Sequence, residues 1–356
     1  MCPLRWLSDH SGMTTAPLTT ARTDGTPAGR PNPKRVFITG GTGVLGTAVL
    51  PALIAAGHEV VMATRPDSSA ENHDGTTSLA VSIFDRHALG HVLEGTDVIL
   101  HLATHVPTGA SAVEPSVWHE NDMLRADATA ALVDAAIDSD VTTFVYPSIC
   151  FVYADGGSTW LRAGAPLDPA AVLDSTLVAE REVARFAAHA ERRGVVLRLG
   201  SLYGPSSAGT RASLLAAARG GPALPGPGEA YTPTLWEADA GAALAAAVDA
   251  SSGVYDIVDD DPLPRAAVND LYHRAVGRQP TGTRPPSGDG LAGTALGFLL
   301  RSHRITNSSF RQTTGWGPSV ASVADAVDAL GGIAKEALHA LTHDSDGSPT
   351  TTTPGG

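Results

Sequence analysis

Three glycines, Gly40, Gly43 and Gly46, recur at every third position in "TGGTGVLG". Their chemistry is anion binding. Glycine lets a chain turn tightly and lets a phosphate approach the main chain, and the free amides at the start of a following helix favour negative charge. The cradle expected here is Gly40, Thr42, Gly43, Val44, Leu45 and Gly46. A second set of residues could move protons. His105 in "LATHVP", Ser148 and Tyr153 in "PSICFVYAD", and Asp174 in "AAVLDST" all follow or end apolar runs. Histidine titrates near neutrality and suits acid or base work. Each of these has a plainer reading. His105 reads as a loop histidine, Tyr153 as structural and Asp174 as a helix cap. Cys150, between them, reads as a small buried apolar group.

Such residues act only if the chain places them. "RVFIT" before the glycines is a short apolar run that predicts a strand. After them, Leu45, Val49, Leu50, Leu53 and Ile54 recur at helical spacing, Gly57 ends that helix, and "EVVMAT" predicts a second strand. Strand, glycine turn, helix and strand in that order are the setting in which the glycine pattern means phosphate binding. Further strands are predicted at "TSLAVSI", "DVILHLA", "TTFVYPS" and "VVLRLGS". Helical patterns such as "RADATAALVDAAIDS" and "LVAEREVARFAAHAERR" lie between them. Alternation of this kind predicts an α/β fold with a doubly wound parallel sheet, whose ligands bind beyond the C-terminal strand ends. Beyond residue 205 the chain turns rich in Gly and Pro around one helix. Later helices are predicted at "EADAGAALAAAVDA", "RAAVNDLYHRAVG" and "SVADAVDALGGIAKEALHAL". The expected organisation is a ligand-binding domain over residues 34–205 and a smaller, partly interleaved lobe over 206–342. Polar low-complexity ends at 1–33 and 343–356 are expected to be disordered.

Composition narrows the function. A formal net charge of −13 argues against a nucleic-acid partner. No apolar run reaches the roughly 20 residues that span a bilayer, so no membrane partner is expected. The segment "MCPLRWLSDHSGM" lacks a secretory pattern, and the two cysteines form no disulfide framework, so a cytoplasmic setting is expected. No metal site is expected.

"TGGTGVLG" resembles the fingerprint of the extended short-chain dehydrogenase/reductase family, the NAD-dependent epimerase/dehydratase type. "DVILHLAT" resembles that family's strand-four motif, "LRLGSLYGP" its RxxNxYGP segment, and "SSFRQTTGWGP" its C-terminal LGWxP motif. "TLWEADAGAAL" is similar to the segment before its substrate-domain helix, with Asp239 at the matching acid. The resemblance covers about residues 34–330. It implies a Rossmann-type sheet, a nicotinamide dinucleotide, a small-molecule substrate, a homodimer, and cofactor contacts at Ile83, Leu102, Ala103 and Thr104. Ser201, in place of the family's Asn, and Arg211 are the implied substrate contacts.

The departures matter as much. The family carries YxxSK followed by Glu four residues later. Its Tyr exchanges a proton with the substrate, and its Lys holds the nicotinamide ribose. Aligned on Glu180, the Ser position is Ser175, the Lys position is Thr176 and the Tyr position is Val172. The usual catalytic Ser/Thr is Ile149, and Arg125 takes the place of the usual Asn, with Asn121 one turn away. The only lysines, Lys34 and Lys335, cannot replace the missing one. The resemblance therefore implies cofactor binding without the standard proton relay. Thr64 ends the second predicted strand where an acid would select NAD, and Arg65 follows it with a planar fork that suits a 2′-phosphate, so NADP is expected over NAD. Three readings stay open: an NADP-dependent oxidoreductase or epimerase with a replacement acid; a redox-neutral cyclase, lyase or isomerase; and a catalytically inactive NADP-binding regulator.

Overall fold

A computed structural model describes residues 32–67, 74–279 and 290–344. The expectations for the two ends fall almost wholly outside these residues. In chain order the strands are β1 (Arg35–Thr39), β2 (Glu59–Thr64), β3 (Thr76–Ala80), β4 (Val98–His101), β5 (Thr143–Ile149), β6 (Trp160–Leu161), β7 (Arg193–Leu199), β8 (Ser201–Tyr203), β9 (Thr234–Trp236), β10 (Gly253–Ile257) and β11 (Arg304–Ile305). The helices are α1 (Val44–Ala55), α2 (Arg86–Val92), α3 (His119–Ile137), α4 (Asp174–Ala187), α5 (Ala208–Ala218), α6 (Glu237–Ala247), α7 (Arg265–Ala275), α8 (Ser308–Thr314) and α9 (Val327–Asp344).

Seven strands make one parallel sheet in the order β10-β7-β5-β4-β1-β2-β3. The strands are covered on both faces, so they read as continuous apolar runs rather than alternating ones. Within β1, Val36 and Ile38 face α1 and α6, while Phe37 faces the layer of α2, α3 and α4. Strand β1 pairs with both β2 and β4, so the order reverses there. A crevice opens beyond the strand ends at such a reversal, and there an α/β sheet binds its ligand. Strand β10 and helix α6, both from beyond residue 205, complete this sheet and its cover. Helices α5, α7 and α9 pack around a separate apolar cluster that includes Leu214, Val268, Tyr272 and Leu330.

The helical pattern predicted through Arg193 stops earlier. α4 ends at Ala187, Glu191 takes a left-handed backbone (φ 61°), and Arg193 already begins β7. The intervening Arg192 donates to the carbonyls of Ala136, Ile137, Ser139 and Val141. A cation on the free carbonyls at the end of α3 satisfies them and complements the helix dipole.

Candidate active site

The crevice beyond β1 is a cleft of about 1410 Å³. Its floor is the glycine turn, and the three glycines serve three different needs. Gly40 has φ +70°, and a Cβ there would stand 2.6 Å from the Ala103 amide nitrogen, so the turn and the exit of β4 close on each other only without a side chain. A Cβ on Gly46 would stand 2.2 Å from the Gly41 carbonyl oxygen, so this glycine packs α1 onto the turn. A Cβ on Gly43 would touch only the Gly40 oxygen, at 3.4 Å, and its backbone is extended. The fold therefore does not require a glycine at 43. Gly43 faces the open cleft at the start of α1, where no side chain caps the free amides. That is the arrangement of an anion cradle.

Below the turn, Thr39 fixes the strand ends. Its hydroxyl lies 2.6 Å from His101 Nδ1 and accepts the Ala103 amide at 3.3 Å, while His101 Nε2 meets the Leu124 carbonyl at 3.1 Å. Burial lowers the His101 pKa to about 4, so the ring is neutral and structural.

Of the residues expected at a cofactor, Gly40, Thr42, Gly43, Val44, Leu45, Arg65, Ile83, Leu102, Ala103 and Thr104 line the cleft, and Gly46 stands just behind it. The residues ending β2 and β3 form one side. The ends of β4 and β5, with α3 and the start of α4, form the other. Ser201 also lines the cleft. Arg211 does not: its guanidinium is turned back onto the carbonyls of Pro205 and Ser206.

The expected proton-transfer residues separate. His105 lines the cleft mouth, well exposed, with Nδ1 3.6 Å from Glu120. Tyr153 is fully buried away from the cleft and donates its hydroxyl to Asp256 at 2.7 Å. Burial and that carboxylate push the phenol well above its ordinary pKa, and Asp256 is itself raised to about 6 by burial. Ser148 donates to Glu180 and is likewise turned from the cleft. Glu180 receives Arg198 through both oxygens, at 2.9 and 2.6 Å, and the Arg198 guanidinium lies 4.8 Å from the centre of the Tyr153 ring. Ser148, Arg198 and Asp256 are register neighbours on β5, β7 and β10, so their side chains share one face of the sheet. Ser148 and Tyr153 are thus members of a buried brace. Asp174 is exposed in the first turn of α4 rather than at its cap, which is Leu173. Cys150 is buried, with its Sγ on the Arg198 carbonyl at 3.1 Å, and burial pushes its thiol pKa well up.

Several wall residues were not expected as such from the sequence, although Ile149 and Val172 stand at relay positions. Ile149, Phe151, Leu173, Trp118 and Phe298 wall the end of the cleft over β5, and Val172 packs in the same apolar cluster. Among the described residues, the lining contains no Tyr and no Lys, and its ionisable side chains are Arg65, Asp67, His105, Glu120 and Arg125. The sequence signal for the wall was the apolar residue at each vacated relay position, 149 and 172. Trp118 and Phe298, distant in the chain, gave no such signal.

The model of the NAD dependent epimerase/dehydratase family matches residues 36–257. Over 301 residues the chain is 32% identical to the 3-diazoavenalumate denitrifying reductase of a Streptomyces species, covering 80% of this chain and 96% of that protein. It is 30% identical over 256 residues to the 2′-dehydrokanamycin reductase of Streptomyces kanamyceticus, covering 68% and 67% of the two chains. Among solved structures, UDP-glucuronic acid 4-epimerase from Bacillus cereus, in complex with UDP-glucuronic acid and NAD, superimposes with a TM-score of 0.68. That match has 17% identity and covers 85% of this chain and 99% of that one.

Proposed function

The chain belongs to the NAD dependent epimerase/dehydratase family, and from that premise we propose that it is an NADP(H)-dependent reductase of a small aromatic metabolite whose hydride acceptor needs no protein acid. The single observation carrying this reading is the end wall of the cleft. Ile149, Leu173, Phe151, Trp118 and Phe298 stand there, with no Tyr or Lys among the described lining residues. A bound reduced dinucleotide would supply a hydride.

The residues present fit such a cofactor. Gly43 and the amides opening α1 would hold the pyrophosphate, and Ile83 would lie along the adenine side. Arg65 would meet a 2′-phosphate through its planar fork. The wall would stack and dehydrate a flat apolar substrate, excluding the hydroxyl-rich sugars that need hydrogen-bonding partners.

Reduction of a carbonyl forms an alkoxide, which needs a positioned acid worth typically 10²–10⁴-fold. An aryl diazo group in its diazonium form does not. The ring carbon gains the hydride and a C–H bond as its C–N bond breaks, dinitrogen leaves with the bonding pair, and no oxyanion forms. The Streptomyces relative is named as a denitrifying reductase of a diazo compound, which supports this substrate class. The exposed His105–Glu120 pair at the mouth is the alternative proton source and distinguishes the two chemistries.

The test is turnover of an aryl diazonium acid with 4-deuterated NADPH, followed by absorbance and by mass spectrometry of the product. Deuterium should enter the ring as nitrogen is lost, and His105→Ala and Tyr153→Phe should each keep turnover within a few-fold of wild type. Turnover confined to ketones, with His105→Ala lowering it 10²–10⁴-fold, would replace this reading by a carbonyl reductase with a substitute acid.

A further inference from the structure

Arg125 is 3% exposed on α3 and lines the cleft. Its Nη1 donates to the Thr176 hydroxyl on α4, and its Nε is buried with no partner. Among the described residues it makes no ion pair. The nearby carboxylates are engaged elsewhere: Glu180 by Arg198, and Asp122 by Ser175 at 2.7 Å. The Tyr146 hydroxyl, close enough to feel the Arg125 charge, is also buried without a partner. A buried guanidinium with unspent donors is costly unless a ligand completes it.

The topology indicates which ligand. A dinucleotide anchored by its pyrophosphate over Gly43 must extend in two directions. One half runs over the ends of β2 and β3, past Arg65 and Ile83. The other half runs over β4 and β5, toward Arg125, Ile149 and Leu173. The first group on that second half is a ribose with two neighbouring hydroxyls, whose oxygens can accept from the unspent N–H donors of the guanidinium.

We propose that Arg125 is the cation that holds the nicotinamide ribose, reaching from α3 into the space that a lysine at position 176 would fill from α4. The proposal rests on the dinucleotide reading of the cleft. Thr176 is short because Arg125 takes its place: the two helices have exchanged which one supplies the charge. With Val172 one turn earlier, the exchange keeps a ribose-binding cation and dispenses with the acid beside it.

Calorimetry with NADPH and with 2′,5′-ADP tests this without turnover, because 2′,5′-ADP has the adenine half and no nicotinamide ribose. Arg125→Gln should weaken NADPH about 10- to 100-fold and leave 2′,5′-ADP unchanged. Arg125→Lys should recover most of the loss. The exchange variant, Arg125→Asn with Thr176→Lys, should bind NADPH within a few-fold of wild type while Arg125→Asn alone does not. Circular dichroism confirms that each variant is folded, and Arg125→Asn carries the comparison if Arg125→Gln is not. Equal loss for both ligands, or an unchanged NADPH affinity with a raised KM for an anionic substrate, overturns the proposal. If the wild-type protein binds neither NADPH nor 2′,5′-ADP, the dinucleotide reading fails, and this proposal with it.

Discussion

Substitutions in the glycine turn should separate folding from binding. Gly40→Ala places a side chain on a left-handed backbone (φ +70°), which costs about 1–2 kcal/mol. Its Cβ would also stand 2.6 Å from the Ala103 nitrogen and 2.7 Å from the Leu102 carbonyl carbon. Backbone cannot rotate away as a side chain can, so overpacking adds about 1–3 kcal/mol. The sum, about 2–5 kcal/mol, should lower the melting temperature by at least roughly 3 °C. Gly43→Ala should do the opposite. At φ −78° and ψ 177° the backbone suits any residue, and the nearest atom to a new Cβ is 3.4 Å away. Stability should hold or rise slightly, by roughly 0.5 kcal/mol, because the unfolded chain loses freedom. Gly43→Val should also fold, but its branches occupy the space above the first amides of α1. Losing even one or two charge-assisted hydrogen bonds to a pyrophosphate costs about 3–4 kcal/mol, a fall in affinity on the order of 10²–10³-fold. Thermal unfolding by circular dichroism and titration calorimetry with NADPH and NADH measure the two effects. The reasoning is refuted if folded Gly43→Val binds either dinucleotide as tightly as wild type. It is refuted equally if Gly40→Ala melts with the native protein while Gly43→Ala does not.

Two further outcomes follow from single side chains. Arg65→Ala should weaken NADPH and leave NADH nearly unchanged in the same titration, since only the former has a 2′-phosphate for the guanidinium; equal loss for both would remove Arg65 as the selector. His101 is lowered from 6.5 to about 4, so between these values the unfolded state binds a proton that the folded state refuses, and stability falls as pH falls through that window. At pH 5 the native protein should have lost about 2 kcal/mol more, relative to pH 7, than His101→Gln. Denaturant unfolding at the two pH values measures the difference. Comparing with the variant cancels the opposite slope from Asp256 and Asp259, whose carboxyls burial raises to about 6 and about 7. Parallel slopes in the two proteins would show that His101 is accessible to protons.

The frame was legible because it is written in local terms. Apolar runs marked the core strands, and the glycines between the first run and a helical pattern marked the turn that floors the cleft. The relay positions expected from the resemblance, Val172 and Thr176 at fixed offsets from Glu180, are buried in the structure and carry neither Tyr nor Lys. Side-chain direction was legible only locally: strand alternation sends Ser148 to the face opposite Ile149, but not to a named partner. Ser148 and Tyr153 stand in the expected stretch, but their orientation depends on partners far along the chain, Glu180 and Asp256, which only the register of β5, β7 and β10 brings near. Arg211 fails for a different reason. It sits on a helix whose neighbours Ala208, Gly209 and Ala212 line the cleft, and helical geometry sends it another way, onto local carbonyls.

The brace and the relay have different fates for an energetic reason. Arg198 and Glu180 are buried and joined by two hydrogen bonds, and Ser148 adds a third to the same carboxylate. Removing one member strands a charge in the interior, at about 3–5 kcal/mol, a large part of a domain's whole stability. Positions 149, 172 and 176 carry no such penalty. Ile149 lines the cleft, Val172 packs in the apolar wall and Thr176 is buried against Arg125, so none of the three holds a buried charge that its loss would strand. A chain can therefore lose its proton relay while keeping the Glu on the same helix and the Arg it pairs with. It cannot keep the cofactor without something to hold the half of it that lies over β4 and β5. Among the described residues the cation lining the cleft there is Arg125, and it is bonded to Thr176, the residue that the resemblance aligns with the family's lysine. On the proposed reading the absent acid and the cation at Arg125 are independent features, and only the first would change which substrates can react.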